Sequence, residues 1–162
     1  MSEKHKKAII DALYDADYKT VENYVSEENV NWIDKHGETL LTIAACMGSV
    51  NMNFVRLLIR LGADVRIRHR ENNTLLHLAA DRLHKDLVRE LLIAGCDPNS
   101  KTDAGETPLY KTLWAHDPKK DIIKLLLEHG ADLNLPTVGD ETAVSVAART
   151  GQMNLLPKEY IE

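Results

Sequence analysis

The side chains that could perform chemistry are scattered, and their spacing fits no reactive site. The seven histidines stand at positions 5, 36, 69, 77, 84, 116 and 129. The motifs G-x-x-x-x-G-K-[ST], G-x-G-x-x-G, H-E-x-x-H and G-x-S-x-G are all absent from the sequence. His69, His77 and His84 come nearest to a metal-binding set, but their positions predict a loop, a helix start and a turn. We therefore predict no catalytic residue, no metal ligand and no cofactor.

Composition predicts a globular protein without a membrane span. The chain has 162 residues, of which 44% are hydrophobic and 28% charged, which suits about one domain. No apolar run approaches the ~18 residues of a membrane span, and Asp11 and Asp15 interrupt the short apolar stretch near the start. We therefore expect neither membrane insertion nor a secretory signal. Cys46 and Cys96 are far apart and are expected to be free thiols, which favours the cytoplasm.

The charge balance disfavours nucleic acid as the main partner. The chain has 20 Lys and Arg against 25 Asp and Glu, for a net charge of −5, whereas phosphate-binding proteins usually carry a basic excess. The local exception is the basic loop Arg66–Arg70, which contains three arginines. These arginines either dock on an acidic or phosphate-bearing partner, or belong to a solvated loop in which they pair with Glu71 or Asp103.

Two series of residues repeat in the same phase along the chain. A threonine followed by an apolar run recurs at steps of 35, 33 and 35 residues, at Thr39, Thr74, Thr107 and Thr142. A glycine that follows a second apolar run recurs at steps of 33 and 35 residues, at Gly62, Gly95 and Gly130. This period, with two short helical patterns in each unit, is typical of a solenoid, because a single unit cannot bury its apolar face alone.

The repeated motifs resemble the ankyrin repeat. TLLHLAA at 74–80 and TPLY at 107–110 correspond to the family's T-P-L-H-x-A-A, and GADV, GCDPN and GADLN correspond to its G-A-D-V-N. The resemblance implies an all-α solenoid of stacked helix-turn-helix units with projecting hairpin-like loops. It also implies that His77 makes a hydrogen bond that braces neighbouring loops.

The resemblance divides the chain into five units. They are an N-terminal capping unit at 5–31, repeats at 34–66, 69–99 and 102–134, and a truncated C-terminal repeat at 137–162. Five helix pairs are expected, beginning near residues 5, 39, 74, 107 and 142. Pro157 should interrupt the last second helix and leave Leu155 and Leu156 thinly covered, so this end is expected either to fray or to contact a partner.

Partner-binding positions follow from the same resemblance, which places them at loop tips and at the exposed ends of the first helices. Together with Arg68 of the basic loop, they are Tyr14, Lys35, His36, Glu38, Met47, Arg70, Glu71, Asp81, Arg82, Asp103, Glu106, Trp114 and Arg149. Trp114 is the predicted anchor, because interface centres favour aromatic side chains. The alternative is that the insertion at 116–121, which contains Pro118, folds over the indole and buries it.

The expected function is that of a non-catalytic protein-binding module. Small ankyrin arrays of this kind resemble IκB-type inhibitors and the immunity proteins encoded beside toxins. Inhibition or sequestration of a partner protein, in a heteromeric complex away from the membrane, is therefore the expected mechanism. The alternative from another class is a nucleic-acid- or phosphate-binding regulator that uses the basic loop Arg66–Arg70.

Overall fold

The computed structural model describes residues 2–34, 36–46 and 50–160. Within these ranges the regular structure consists of α-helices and short 3₁₀ turns, and paired extended backbone is limited to two isolated bridges, Ile33 with Thr39 and Arg68 with Thr74. The chain is therefore an all-α repeat solenoid, as the sequence predicts. None of the helices in these ranges is long and apolar enough to cross a membrane. The chain divides into two compact units, Met1–Val65 and Arg66–Glu162.

The first unit is built from two helix pairs among its described residues. They are α1 (Glu3–Tyr14), α2 (Tyr18–Tyr24), α3 (Leu40–Cys46) and α4 (Met52–Arg60). The ring of Tyr18 stacks on that of Phe54 with 4.1 Å between centroids, and its hydroxyl donates to Asn51 Oδ1 at 2.6 Å. These contacts tie α2 to the start of α4.

The second unit contains two complete helix pairs and a final single helix among its described residues. They are α5 (Leu75–Asp81), α6 (Lys85–Ile93), α7 (Pro108–Trp114), α8 (Lys120–Glu128) and α9 (Ala143–Arg149). The first helices pack in sequence, α5 on α7 and α7 on α9, and the second helices α6 and α8 pack on each other. Small side chains such as Ala79 and Ala80, both fully buried, allow the helices to approach closely.

A threonine caps each first helix of the second unit. The hydroxyl oxygens of Thr74, Thr107 and Thr142 accept hydrogen bonds from the backbone N–H three residues later, at 3.4, 3.2 and 3.1 Å. Such caps satisfy N–H groups that have no partner within the helix. The repeated threonine therefore marks where α5, α7 and α9 begin, close to the predicted positions.

The last repeat differs from the expected helix pair. After α9 the chain forms two 3₁₀ turns, Met153–Leu155 and Lys158–Tyr160, in place of a second α-helix. Pro157 separates them, because a proline has no N–H to donate and clashes with the preceding turn of a helix. The fifth helix pair expected from the sequence is therefore reduced, among the described residues, to α9 and two 3₁₀ turns. The expectation that Leu156 is thinly covered is wrong, since only 4% of it is exposed.

Backbone hydrogen bonds join successive loops of the second unit. The N–H of Asp103 donates to the carbonyl oxygen of Glu71 at 2.9 Å, and the N–H of Val138 donates to that of Ala104 at 2.9 Å. Each bond runs from one repeat to the next. The loop tips are therefore held at a fixed spacing.

Candidate partner-binding surface

Trp114 ends α7 and lies on the surface of the second unit. Its residue surface is 48% exposed, whereas the adjacent Leu113 is fully buried, so the segment after α7 does not cover the indole. Asp81 and Arg149 end α5 and α9 and occupy the same position in their repeats. All three side chains are exposed. The ends of the first helices therefore present a carboxylate, an indole and a guanidinium in a row.

Arg149 lies over the indole of Trp114. Its guanidinium carbon is 4.8 Å from the centroid of the ring, and its Nη2 donates to Glu141 Oε1 at 2.8 Å. A guanidinium over an aromatic face is attracted by the negative potential of the ring, by about 0.5–1 kcal/mol at an exposed site. Two large side chains are thus ordered in advance, which lowers the entropic cost of binding a partner.

Tyr110 connects the same carboxylate to the core of its repeat. Its hydroxyl donates to Glu141 Oε2 at 2.8 Å, and its ring centroid lies 6.3 Å from that of Trp114. Burial, with a smaller contribution from the bond to Glu141, raises the pKa of Tyr110 above its ordinary value, so the hydroxyl stays a donor. We call Tyr110, Trp114, Glu141 and Arg149 the Trp114 surface.

In the sequence Tyr110 matches the repeat motif, and its part in this surface was not predicted. The signal was the replacement of the motif histidine by tyrosine at this position of the repeat. His77, at the equivalent position, reaches the backbone of the following loop. Tyr110 instead reaches the side chain of Glu141.

Other predicted positions of the second unit lie at the end of α5 and in the loops between the helix pairs. Glu106 is half-buried, and its Oε2 forms an ion pair with Lys111 Nζ at 2.8 Å. Asp81 and Arg82 are exposed at the end of α5. The side chain of Asp103 accepts a hydrogen bond from Asn72 Nδ2 at 3.0 Å.

The basic loop is tied to the next repeat by one of its arginines. Arg68 Nη1 lies 3.2 Å from the carbonyl oxygen of Asn72 and 3.1 Å from that of Lys101. Its guanidinium therefore binds carbonyl oxygens, and the described residues show no pairing of Arg68 with Glu71 or Asp103. Arg70 and Glu71 are exposed, and the backbone of Glu71 is left-handed, with φ +57°.

The remaining predicted positions lie in the first unit. Tyr14 is 65% exposed at the end of α1. His36 is exposed, and its backbone N–H donates to Asp34 Oδ1 at 2.8 Å, while Glu38 is half-buried. The predicted positions Lys35 and Met47 lie outside the described residues.

His77 has the bridging geometry that the resemblance implies. Its Nδ1 accepts the backbone N–H of Thr74 at 3.1 Å, and its Nε2 lies 3.0 Å from the carbonyl oxygen of Glu106 in the next repeat. Burial, the dominant cause, lowers the pKa of His77 from 6.5 to about 4. Among the residues that the structure describes, no group of three or more His, Cys, Asp or Glu side chains is arranged to hold a metal ion.

Stacked helix pairs with threonine caps and bridged loops define a repeat protein of the helix-turn-helix solenoid class. The chain belongs to the ankyrin-repeat family. The family model for ankyrin repeats in three copies matches residues 9–102 and 82–157. Ankyrin repeats are protein–protein interaction modules.

Relatives of the chain include both large and small proteins. It is 37% identical over 113 residues to the E3 ubiquitin-protein ligase KEG of Arabidopsis thaliana, which covers 67% of this chain and 7% of the relative. It is 29% identical over 133 residues to the putative ankyrin repeat protein FPV034 of fowlpox virus, covering 82% of this chain and 30% of the relative. It is 27% identical over 99 residues to the human protein phosphatase 1 regulatory subunit 27, covering 61% and 64%. The chain thus spans less than two thirds of each of these relatives.

Proposed function

We propose that the chain binds a partner protein through the Trp114 surface. The observation that carries the proposal is the exposure of Trp114, whose residue surface is 48% exposed. The guanidinium carbon of Arg149 lies 4.8 Å from the centroid of the Trp114 indole ring. Trp, Tyr and Arg are the residue types that contribute most to binding free energy at protein interfaces. Asp81 and Glu106 would lie at the rim and steer the approach of the partner.

Inhibition or sequestration is the mechanism we infer for this binding. A surface that covers part of its target can block that part without any catalytic step. The similarity to a regulatory subunit of a phosphatase is consistent with such a role. Cys46 and Cys96 form no disulfide among the described residues, which is consistent with a reducing compartment such as the cytoplasm as the place of action.

The basic loop is a weaker basis for function than the Trp114 surface. Two backbone carbonyl oxygens already occupy the guanidinium of Arg68, so fewer of its donors remain for a phosphate. A nucleic-acid function would require binding that persists at about 0.15 M salt and disappears when Arg66, Arg68 and Arg70 are all changed to alanine. We expect no binding of nucleic acid at that salt concentration.

The test of the proposed function is capture of a partner by wild-type protein and by two matched variants. Trp114→Ala removes the proposed anchor, and Ile93→Ala removes a 69% exposed apolar side chain at the end of α6. A partner captured from the source organism should be lost with Trp114→Ala and kept with Ile93→Ala. The activity of the captured partner should fall when the wild-type chain is added. Equal capture by both variants would contradict the assignment of the surface.

A further inference from the structure

A groove of about 780 Å³ lies between α8 and the two 3₁₀ turns that follow α9. Met153, Leu156 and Pro157 contribute apolar lining, and three lysines stand around them: Lys120, Lys124 and Lys158. The methylene groups of lysine extend an apolar surface while the ammonium group stays in water. We call this the α8 groove.

The groove exists because the last repeat lacks a second α-helix among the described residues. In the second unit, α6 and α8 are second helices of nine residues each, and they pack on each other. The two turns after α9 contain three residues each, so they cover less of the preceding repeat than a full helix would. The α8 groove is thus the part of this helix position that the described residues, which end at 160, do not fill.

The charges around the groove are mainly positive. Lys124 makes a long 3.6 Å contact with Glu128, and neither Lys120 nor Lys158 has an ion-pair partner among the described residues. Among the described residues that line the groove, Glu159 is the single carboxylate. The chain as a whole has a net charge of −5, so this patch opposes the overall sign. Such a patch favours an acidic partner and repels a basic one.

We propose that the α8 groove docks an acidic amphipathic helix of a partner protein. Apolar side chains at i, i+3 and i+4 of that helix contact Met153 and Pro157, and its flanking carboxylates reach the ammonium groups of the lysines. The apolar lining favours such a helix over a free phosphate, because a phosphate would contact only the ammonium groups. The groove shares no residue with the Trp114 surface, so each proposal can fail without the other.

The probe is a fluorescein-labelled peptide of about 14 residues, with leucines at i, i+3, i+4 and i+7 and glutamates on both flanks. Fluorescence anisotropy with the full chain should give saturable binding with a Kd below about 100 μM. The affinity should fall as salt rises from about 50 to about 300 mM, because screening weakens exposed charge pairs. A peptide with lysine in place of each glutamate should bind at least about tenfold more weakly.

Matched variants connect the binding to the groove. The combined change Lys120→Glu, Lys124→Glu and Lys158→Glu should weaken peptide binding at least about tenfold. The control changes Lys4→Glu, Lys7→Glu and Lys19→Glu alter the net charge equally, at exposed positions of α1 and α2. The control should keep the affinity within about twofold.

A second variant covers the case in which the triple change impairs folding. Met153→Asp alters one half-buried side chain of the groove and should also weaken binding about tenfold. Three results would each overturn the proposal. They are equal peptide affinity of the groove and control variants, equal affinity of the wild-type chain for the glutamate and lysine peptides, and the absence of saturable binding. Preferential binding of the groove to anionic phospholipid vesicles would also overturn it. Trp114→Ala should leave the peptide affinity unchanged, which separates this test from that of the proposed function.

Discussion

The buried imidazole of His77 joins its own repeat to the next one, with its Nε2 3.0 Å from the carbonyl oxygen of Glu106. On the other side of the ring, Nδ1 accepts the backbone N–H of Thr74 at 3.1 Å. A neutral imidazole satisfies both contacts, with a proton on Nε2 only. Protonation of Nδ1 would remove the acceptor that Thr74 needs and would place a charge in a fully buried site.

We expect the folding stability to decrease as the pH is lowered from about 7 to about 5. The pKa of His77 is 6.5 when the chain is unfolded and about 4 when it is folded, so the unfolded chain binds more protons at this residue as the pH falls through this interval. The contribution of this single group is a loss of about 2 kcal/mol at a pH of about 5, measurable by urea denaturation. His77→Gln should remove this contribution, and the exposed His116→Gln should keep it. The same pH dependence in both variants would assign the effect to other groups.

Trp114→Ala should change the free energy of unfolding by less than about 1 kcal/mol, because a half-exposed side chain loses little on truncation. Leu113→Ala, at the adjacent buried position, should cost about 2–5 kcal/mol. Thermal and urea denaturation of the two variants give the comparison. The affinity for a partner should fall by about 2 kcal/mol or more with Trp114→Ala. A loss of several kcal/mol of stability with Trp114→Ala would place the indole in the core instead.

Ala79→Leu should lower the free energy of unfolding by about 1–3 kcal/mol. Ala79 is 1% exposed on α5, which packs against α7, and the added carbons have no space there. The matched control is Ala148→Leu, at an exposed position of α9, which should stay within about 0.5 kcal/mol of wild type. A neutral result for Ala79→Leu would mean that this face of α5 is less tightly packed than the structure shows.

Gly105→Ala should destabilise the protein by about 2 kcal/mol or more. Gly105 has φ +77°, and a Cβ there would lie 2.9 Å from the Cα of Thr137 in the following loop. Gly139→Ala is the control, because its nearest neighbour would be Thr137 Oγ1 at 3.9 Å and its φ is not left-handed. Urea denaturation should therefore give a clearly lower free energy of unfolding for Gly105→Ala than for Gly139→Ala. Equal effects would show that the loops adjust to the added methyl group.

The helix starts of the second unit could be predicted because a local rule sets them. Thr74, Thr107 and Thr142 each cap the helix that follows, and capping depends only on residues within one turn. The contact of Arg149 with Trp114 joins side chains 35 positions apart, and it depends on how α7 and α9 stack. Repeat spacing brings such residues into the same row but does not specify their rotamers. The two 3₁₀ turns after α9 also escaped prediction, because Pro157 predicts an interruption and not the shape that replaces the helix.

Because of the hydrogen bonds between successive loops, the hydrogen exchange of two backbone amides measures how often neighbouring repeats separate. The amide of Asp103 donates to Glu71 and the amide of Val138 donates to Ala104, so each amide is bonded to the repeat that precedes its own. Each can exchange with solvent deuterium only when its own boundary opens. In a solenoid, stability is a sum of repeat and nearest-neighbour terms, so the two boundaries need not open together. Their exchange rates would therefore show from which end the array begins to come apart.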